Sequence, residues 1–422
     1  MSSSTKVKKV KIDDVDIGMF IVKLDIPWIK SPFFKNSVHI KNQTDINKLR
    51  SAGVRMVLID LERSTHKEKE VQQDTKTSTE EATTKTATES EEAKDATAPQ
   101  ERPSTTMEQE MDAALAIRDR VKSTLTDIMA RVEKQGTVDS KELEPLVEDT
   151  LASLERNNQA FLNIAHLGKR SAKIADHTVS TFCLALNAAK QQDIDEESLH
   201  ALGFAALLHE AGWVQTPLDL IGKRKPYTEL EQKLISKHVE IGLKLLAGST
   251  LPELTMRIIK EHHELCDGSG YPYGLLQEDI HPLSRLFRVV DSYDERVHQL
   301  LDRPGMLPTN ALRSLYVEAE QGKYDSAAVS LLISSLGVYP VSSAVLLNTG
   351  ERAIVVEVPE EDHLRPVILI HYDAHNKPLR EPLRIDLRER GANDELERQI
   401  ESVLDPNNAL HDPAHKLKAV PY

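Results

Sequence analysis

Residues 72–106 contain no Val, Ile, Leu, Met, Cys or aromatic residue. The stretch is mostly Thr, Ser, Glu, Lys, Gln and Ala, and it closes on APQERP at 98–103. It has nothing to bury that would offset the entropy of ordering, so it predicts a disordered linker over 64–106. A chain of 422 residues interrupted there cannot share one core. It must fold as a short head and a longer body. The charge divides at the same place: residues 1–63 carry +5 and residues 107–422 carry −15, within a net −14. An acidic body with only 4% aromatic residues argues against DNA or RNA as a partner. The two cysteines, Cys183 and Cys266, exclude a disulfide scaffold and fit a reducing compartment. No signal peptide and no run of ~18 apolar residues is visible, so the expectation is a cytoplasmic protein without a membrane span.

The head, 1–63, reads as a small α+β domain. Val7–Ile12, Met19–Leu24 and Val54–Ile59 have the short alternation of strands, and Thr44–Ser51 that of a helix. The body from 107 to 340 has helical period throughout. Helices are expected at about 111–132, 139–154, 157–168, 171–190, 197–211, 228–247, 252–265, 282–300, 308–321 and 325–336. Asp139-x-x-Glu142 and Thr228-x-x-Glu231 read as capping boxes. From 341 to 405 the pattern returns to strands, with Ser343–Leu347, Arg352–Val358 and Val367–Tyr372 forming a β appendix. A polar tail follows at 406–422. The fold class is therefore mainly α: a helical bundle with a small α+β head and a short β extension.

The helical body carries a series of metal-ligand side chains. His177 lies in ADHTVS, His209-Glu210 end FAALLHE, His238 lies in LISKH, His262-His263-Glu264 open HHELCDGSGYP, and Asp291 lies in RVVDSYDE. The steps from 177 to 209, 238, 262 and 291 are 32, 29, 24 and 29 residues, about one helix and its connection each. A bundle can thus aim one ligand per helix at a common centre. Imidazole and carboxylate donors suit Fe, Mn, Zn or Ni rather than Ca. Five histidines and two carboxylates exceed the needs of one ion. Two ions about 3.5–4 Å apart sharing a carboxylate would use them all, an arrangement that hydrolyses phosphate esters. Taken singly, His177 or His238 is more often a core or surface histidine than a ligand, and His209 could simply cap its helix. The remaining histidines have no such context.

HHELCDGSGYP resembles the signature of HD-GYP domains, HHE-x-x-DGSGYP, and LLHEAGWVQTP is similar to that family's LLHDIGKVxIP. The likeness runs from about 160 to 335. The β appendix VYPVSSAVLLNTGERAIVVEV looks like the usual extension of these proteins, and IGMFIVKLDIPWIKSPF looks like the small domain of unknown function that often precedes them. The resemblance implies an HD-superfamily helical bundle. It implies a phosphodiesterase that hydrolyses cyclic diguanylate (c-di-GMP) to pGpG or GMP with two divalent ions, Fe, Mn or Zn. Carried over by position, the metal ligands are His177, His209, Glu210, His238, His262, His263 and Asp291. Glu210, Asp291 and Arg303 take the catalytic positions. Trp213, Arg303 and the loop Gly270-Tyr271-Pro272 border the substrate. In the family that loop also contacts GGDEF-domain proteins.

The sequence departs from the family at several of these positions. The bridging Asp is Glu210, and the motif Lys is Trp213, for which packing is a simpler reading than stacking on guanine. Lys173 stands where members with a third metal have Glu. Glu295 replaces a small residue, about three residues are inserted before Arg303-Pro304, and Met306 stands where a basic residue is common. These changes keep a second expectation alive: a degenerate module that binds c-di-GMP or docks a GGDEF partner. The helix at 107–134 has an apolar stripe that suits either its own bundle or a homodimer.

Overall fold

The fold was taken from a computed structural model, which describes residues 7–24, 38–40, 43–51, 54–60, 64, 105–134, 136–167, 174–216, 220, 227–298, 305–359, 362–389 and 398–404. The expected linker, apart from Ser64, Thr105 and Thr106, and the expected tail lie outside these residues. The chain divides into two compact units, Met1–Glu101 and Arg102–Tyr422.

The first unit is a four-stranded antiparallel sheet with one helix. Its strands are β1 (Val7–Lys11), β2 (Phe20–Leu24), β3 (Val38–His39) and β4 (Met56–Asp60), in the order β1-β4-β2-β3, and α1 is Gln43–Ser51. The expected strands and helix are present. β3, only two residues long, was not foreseen because so short a segment carries no alternation to read. Ile12, Val15, Ile21, Ile40, Ile46, Leu49, Val54, Val57 and Ile59 form the core.

The second unit is mainly helical. Its helices are α2 (Met107–Glu133), α3 (Ser140–Leu167), α4 (Ile174–Lys190), α5 (Glu196–Leu208), α6 (Glu229–Ser236), α7 (His238–Leu246), α8 (Glu253–Glu261), α9 (Pro282–Val297), α10 (Pro308–Glu320) and α11 (Ser326–Leu336). The central helix is α4, buried along nearly its whole length and packed against α3, α5 and α9. α5 is equally apolar from Ala201 to Leu208, which seats its C-terminal end in the interior.

Helix ends fall where the sequence has stop signals, with three corrections. The two helices expected over 139–168 are one element broken at Asn157, whose backbone is extended (φ −166°, ψ 105°). The single helix expected over 228–247 divides at Lys237, whose N–H bonds back to Leu234 and Ile235 in a tighter turn. The helix expected to end at 265 stops at Glu261, so His262, His263 and Glu264 lie beyond it. Thr228 and Glu231 form the expected capping box. At Asp139 the box is incomplete: its side chain accepts from Lys141 N and Thr250 Oγ1 rather than from Glu142 N, and its own N–H meets Glu142 Oε1 at 3.5 Å. An unforeseen box joins Thr106 to Gln109. Burial pushes the thiols of Cys183 and Cys266 up to about 12 and about 11, which keeps both protonated.

The β extension is a five-stranded antiparallel sheet, ordered β8-β7-β6-β5-β9. β5 (Ala344–Leu347), β6 (Arg352–Glu357) and β7 (Val367–Tyr372) match the expected strands. β8 (Pro378–Asp386) and β9 (Ile400–Val403) were missed, because β8 is polar and largely exposed and β9 has four residues.

One close approach fixes the interior of the bundle. After α5 the chain makes a 3-10 turn, Ala211–Gln215, against α7. A Cβ on Gly212 would stand 1.9 Å from the carbonyl oxygen of His238 and 2.8 Å from the amide nitrogen of Gly242. Backbone meets backbone there, and only glycine leaves the space. Gly212→Ala is expected to cost about 2–3 kcal/mol and to lower the melting temperature by several degrees. Thermal unfolding followed by circular dichroism checks this, and an unchanged melting temperature would show that the turn has slack.

Candidate metal centre

Helix termini leave backbone carbonyls without intrahelical partners. Three of the five histidines stand at such ends and use those carbonyls. His209 caps α5 and its Nδ1–H donates to Ala206 O at 2.9 Å. His238 follows α6 and donates to Ile235 O at 2.8 Å. His262 caps α8 and donates to Ile259 O at 2.6 Å. Each bond reaches back three residues. His177, in the first turn of α4, instead donates Nδ1–H to Asp294 Oδ2 at 2.6 Å. In all four the proton is fixed on Nδ1, so the Nε2 atom faces the centre.

These Nε2 atoms meet in two groups. The His177 and His209 nitrogens are 3.4 Å apart, and Asp291 Oδ1 lies 3.1 Å from the first and 3.8 Å from the second. The His238 and His262 nitrogens are 3.2 Å apart, with the His263 ring beside them. Glu210 lies between the groups. Its Oε1 is 3.8 and 3.9 Å from His177 and His209, and its Oε2 is 3.4 Å from His238. Its two oxygens therefore face different triads.

Two imidazoles with protonated Nδ1 that face each other through Nε2 bring lone pair against lone pair unless a proton or a cation intervenes. Glu210 Oε2 is buried without a hydrogen-bond partner, and Asp291 Oδ1 receives no well-aligned hydrogen bond. Nitrogens bound 2.0–2.1 Å from one tetrahedral ion stand about 3.3–3.4 Å apart, close to the spacings found. The triads His177–His209–Asp291 and His238–His262–His263 thus have the donor types, spacing and unmet polarity of metal sites. A third group, His263, Asp291 and Glu295, shares residues with both.

The electrostatics are those of cation sites. Burial lowers His209 to about 3 and His238 to about 4, and burial with neighbouring rings lowers His262 and His263 as well. These imidazoles stay neutral near pH 7, as ligation requires. Burial, aided by Asp291, raises Glu210 to about 8. His177 behaves oppositely. Burial alone would lower it, but Asp291 and Asp294 hold it well above the usual value, with a proton where a metal could stand. Asp291 is drawn below the ordinary carboxylate range despite its burial, by His177 and Arg288.

The supporting residues were not all anticipated. Asp294, one turn after Asp291 on α9, takes bonds from His177, Ser180 and, at 2.9 Å, His298 Nδ1. His298, expected to have no role, is fully buried beneath it. Arg288, one turn before Asp291, donates from Nη1 to Asp291 Oδ2 at 2.7 Å and to His263 Nδ1 at 2.8 Å. The i−3 and i+3 spacing around Asp291 was the available signal. Trp213 is buried and stacks on His238, with ring centres 5.2 Å apart. Its indole N–H makes no regular hydrogen bond, although it stands near enough to Glu210 to draw that carboxyl down. Its indole thus packs against the centre. Met306 is about half exposed (46%). Arg303, Pro304 and Lys173 lie outside the described residues.

The Gly270-Tyr271-Pro272 loop folds back on the histidine pair. Glu264 Oε1 and Oε2 accept the N–H groups of Tyr273 and Leu275 at 2.7 and 2.9 Å. The Tyr271 N–H donates to His263 O at 3.2 Å, and its ring lies 4.6 Å from that of His263. A Cβ on Gly270 would come 2.3 Å from Leu265 N, so the turn needs glycine. The Tyr271–Pro272 peptide is cis.

The chain resembles known proteins along most of its length. The family described as "HD domain" matches residues 142–328, "Domain of unknown function (DUF3391)" matches 7–143, and "KOW domain associated with HD domain" matches 344–411. The helical body therefore carries a match to the HD domain, over 187 of the 422 residues. A DUF3391 match precedes that domain and a KOW-type match follows it. It is 26% identical over 394 residues to the cyclic di-GMP phosphodiesterase PA4108 of Pseudomonas aeruginosa, covering 92% of this chain and 91% of that one. It is 32% identical over 148 residues to the cyclic di-GMP phosphodiesterase response regulator RpfG of Xanthomonas campestris, 34% of this chain and 39% of that protein. A solved HDG"Y"P protein of Bdellovibrio bacteriovorus, Bd1817, aligns with 78% of this chain and 98% of its own at 15% identity and a TM-score of 0.43. Among the described residues no helix is long and apolar enough to cross a membrane.

Loss of an acceptor that orients a ligating histidine typically lowers metal affinity 10–100-fold. Asp294→Asn is therefore expected to weaken binding at the His177 triad by about tenfold or more while the helices persist. Metal content after dialysis, set beside the far-UV spectrum, checks this. Full retention of metal would show that His177 does not need its aspartate.

Proposed function

We propose that this protein is a metal-dependent phosphodiesterase that hydrolyses cyclic diguanylate to pGpG or GMP. The observation that carries the reading is Glu210, whose two oxygens face two separate histidine triads across one buried centre. Whole-length similarity to a cyclic di-GMP phosphodiesterase supports the substrate. His177, His209 and Asp291 would hold one divalent ion, His238, His262 and His263 a second, and Glu210 would lie between them. The ions, Fe, Mn or Zn, would supply an activated water and neutralise the phosphate.

The chain's own groups do the rest. The Nδ1 bonds of four histidines fix the donors before substrate arrives, so little reorganisation is needed during reaction. Burial raises Glu210 to about 8, and two cations beside it would draw off that proton and leave the carboxylate between them. Trp213 excludes water from behind His238. The Tyr271 ring over His263 walls the centre on the loop side. Replacing the shorter aspartate of related proteins by Glu210, with Trp213 in place of a lysine, suits a slow enzyme.

The test is turnover of cyclic diguanylate by protein loaded with Mn, Fe or Zn, followed by chromatography of pGpG and GMP. Chelation, or His209→Ala, is expected to lower the rate by at least about a thousandfold, to background. Glu210→Asp combined with Trp213→Lys is expected to raise it. Metal-loaded protein that binds the dinucleotide without cleaving it would favour a degenerate module. In that second reading a GGDEF-domain partner would dock on the outer side of the loop, where Tyr273 and Leu276 are half exposed.

A further inference from the structure

Four of the five histidines pass their Nδ1 proton to an acceptor. His263 does not. Its Nδ1 faces Nη1 of Arg288 at 2.8 Å, and a guanidinium can only donate. His263 Nδ1 is therefore the acceptor. A neutral imidazole has one N–H, so the His263 proton must sit on Nε2, and a protonated nitrogen has no lone pair for a metal. Ligation through Nδ1 would require Arg288 to leave. Ligation through Nε2 would move the proton to Nδ1 and set N–H against N–H, which again displaces Arg288.

In the other half no guanidinium occupies the atoms that face the centre. Arg288 bonds Oδ2 of Asp291, whereas Oδ1 is the oxygen 3.1 Å from His177 and 3.8 Å from His209. Arg288 also has somewhere to go. Its Nη2 lies 3.7 Å from Oε2 of Glu295, two turns further along α9, and its Nε has no hydrogen-bond partner.

Building on the two-ion reading above, we propose that Arg288 makes the two halves unequal. The half formed by His177, His209 and Asp291 takes a divalent cation without moving Arg288. The half formed by His238, His262 and His263 fills only when Arg288 leaves His263 and turns towards Glu295. Arg288 is a positioning residue in this scheme: it sets how readily the second ion enters.

The experiment is a titration of the metal-stripped full chain with Zn2+ against a chromophoric chelator, with no nucleotide present. Wild type is expected to bind in two steps, the weaker at least about tenfold below the tighter. Arg288→Met keeps most of the side-chain volume and removes the donor. It is expected to strengthen the weaker step about tenfold and not to strengthen the tighter one, whose Asp291 loses a partner. His263→Ala should abolish the weaker step alone. If Arg288→Met does not fold, Glu295→Gln serves instead and is expected to weaken the second step. Two equal steps in wild type, one step in every variant, or a second step unmoved or weakened by Arg288→Met would overturn the proposal. So would a second step unmoved or strengthened by Glu295→Gln. A protein that titrates as expected but leaves cyclic diguanylate intact would overturn the enzymatic reading and leave this one standing.

Discussion

The carbonyls of Ala206, Ile235 and Ile259 each accept the Nδ1–H of the histidine three residues further on. These carbonyls stand at the ends of α5, α6 and α8, where regular intrahelical partners run out. One interaction thus does two things: it satisfies a buried helix terminus and aims an imidazole. The choice between His209 as a helix cap and His209 as a ligand is not a real alternative, because it orients the ring by capping. The bundle's topology follows, since helices must end at a common depth for the Nε2 atoms to meet.

The second constraint is charge. A buried cluster of five imidazoles, Glu210 and Asp291 contains donors that repel one another at 3.2–3.4 Å. Its parts reach compensation in different ways. Asp294 and Asp291 favour a proton on His177, burial favours one on Glu210, and Arg288 bonds Asp291 and His263. Each is a local substitute for the same missing positive charge. The acidity of the body, which argued against polymeric nucleic acids, is consistent with a centre whose cations come from solution.

The sequence exposed the candidate ligands well because they are chemically loud. Histidines spaced by one helix and its connection, together with HHELCDGSGYP, pointed to one centre before any coordinates. Apolar period located most helices, since α4 and α5 owe their burial to it. What stayed hidden was relational. Arg288, Asp294 and His298 are ordinary polar residues on a helix until α4 and the loop after α8 are packed against them. The break at Lys237 and the end at Glu261 hinge on turn geometry that composition does not encode. β8 was missed because its residues are exposed and lack a buried face to set an alternation.

Glu264 and the main chain of His263 bind the glycine-rich loop through three hydrogen bonds, and His263 is itself adjacent to both triads. The loop's outer residues face solvent while its inner backbone is fastened to His263, a proposed ligand. Pulling on one therefore tugs the other: a visitor that reshapes Tyr273 and Leu276 would reset the lever on which one ion rests, and news of the surface would reach the interior without passing through the substrate.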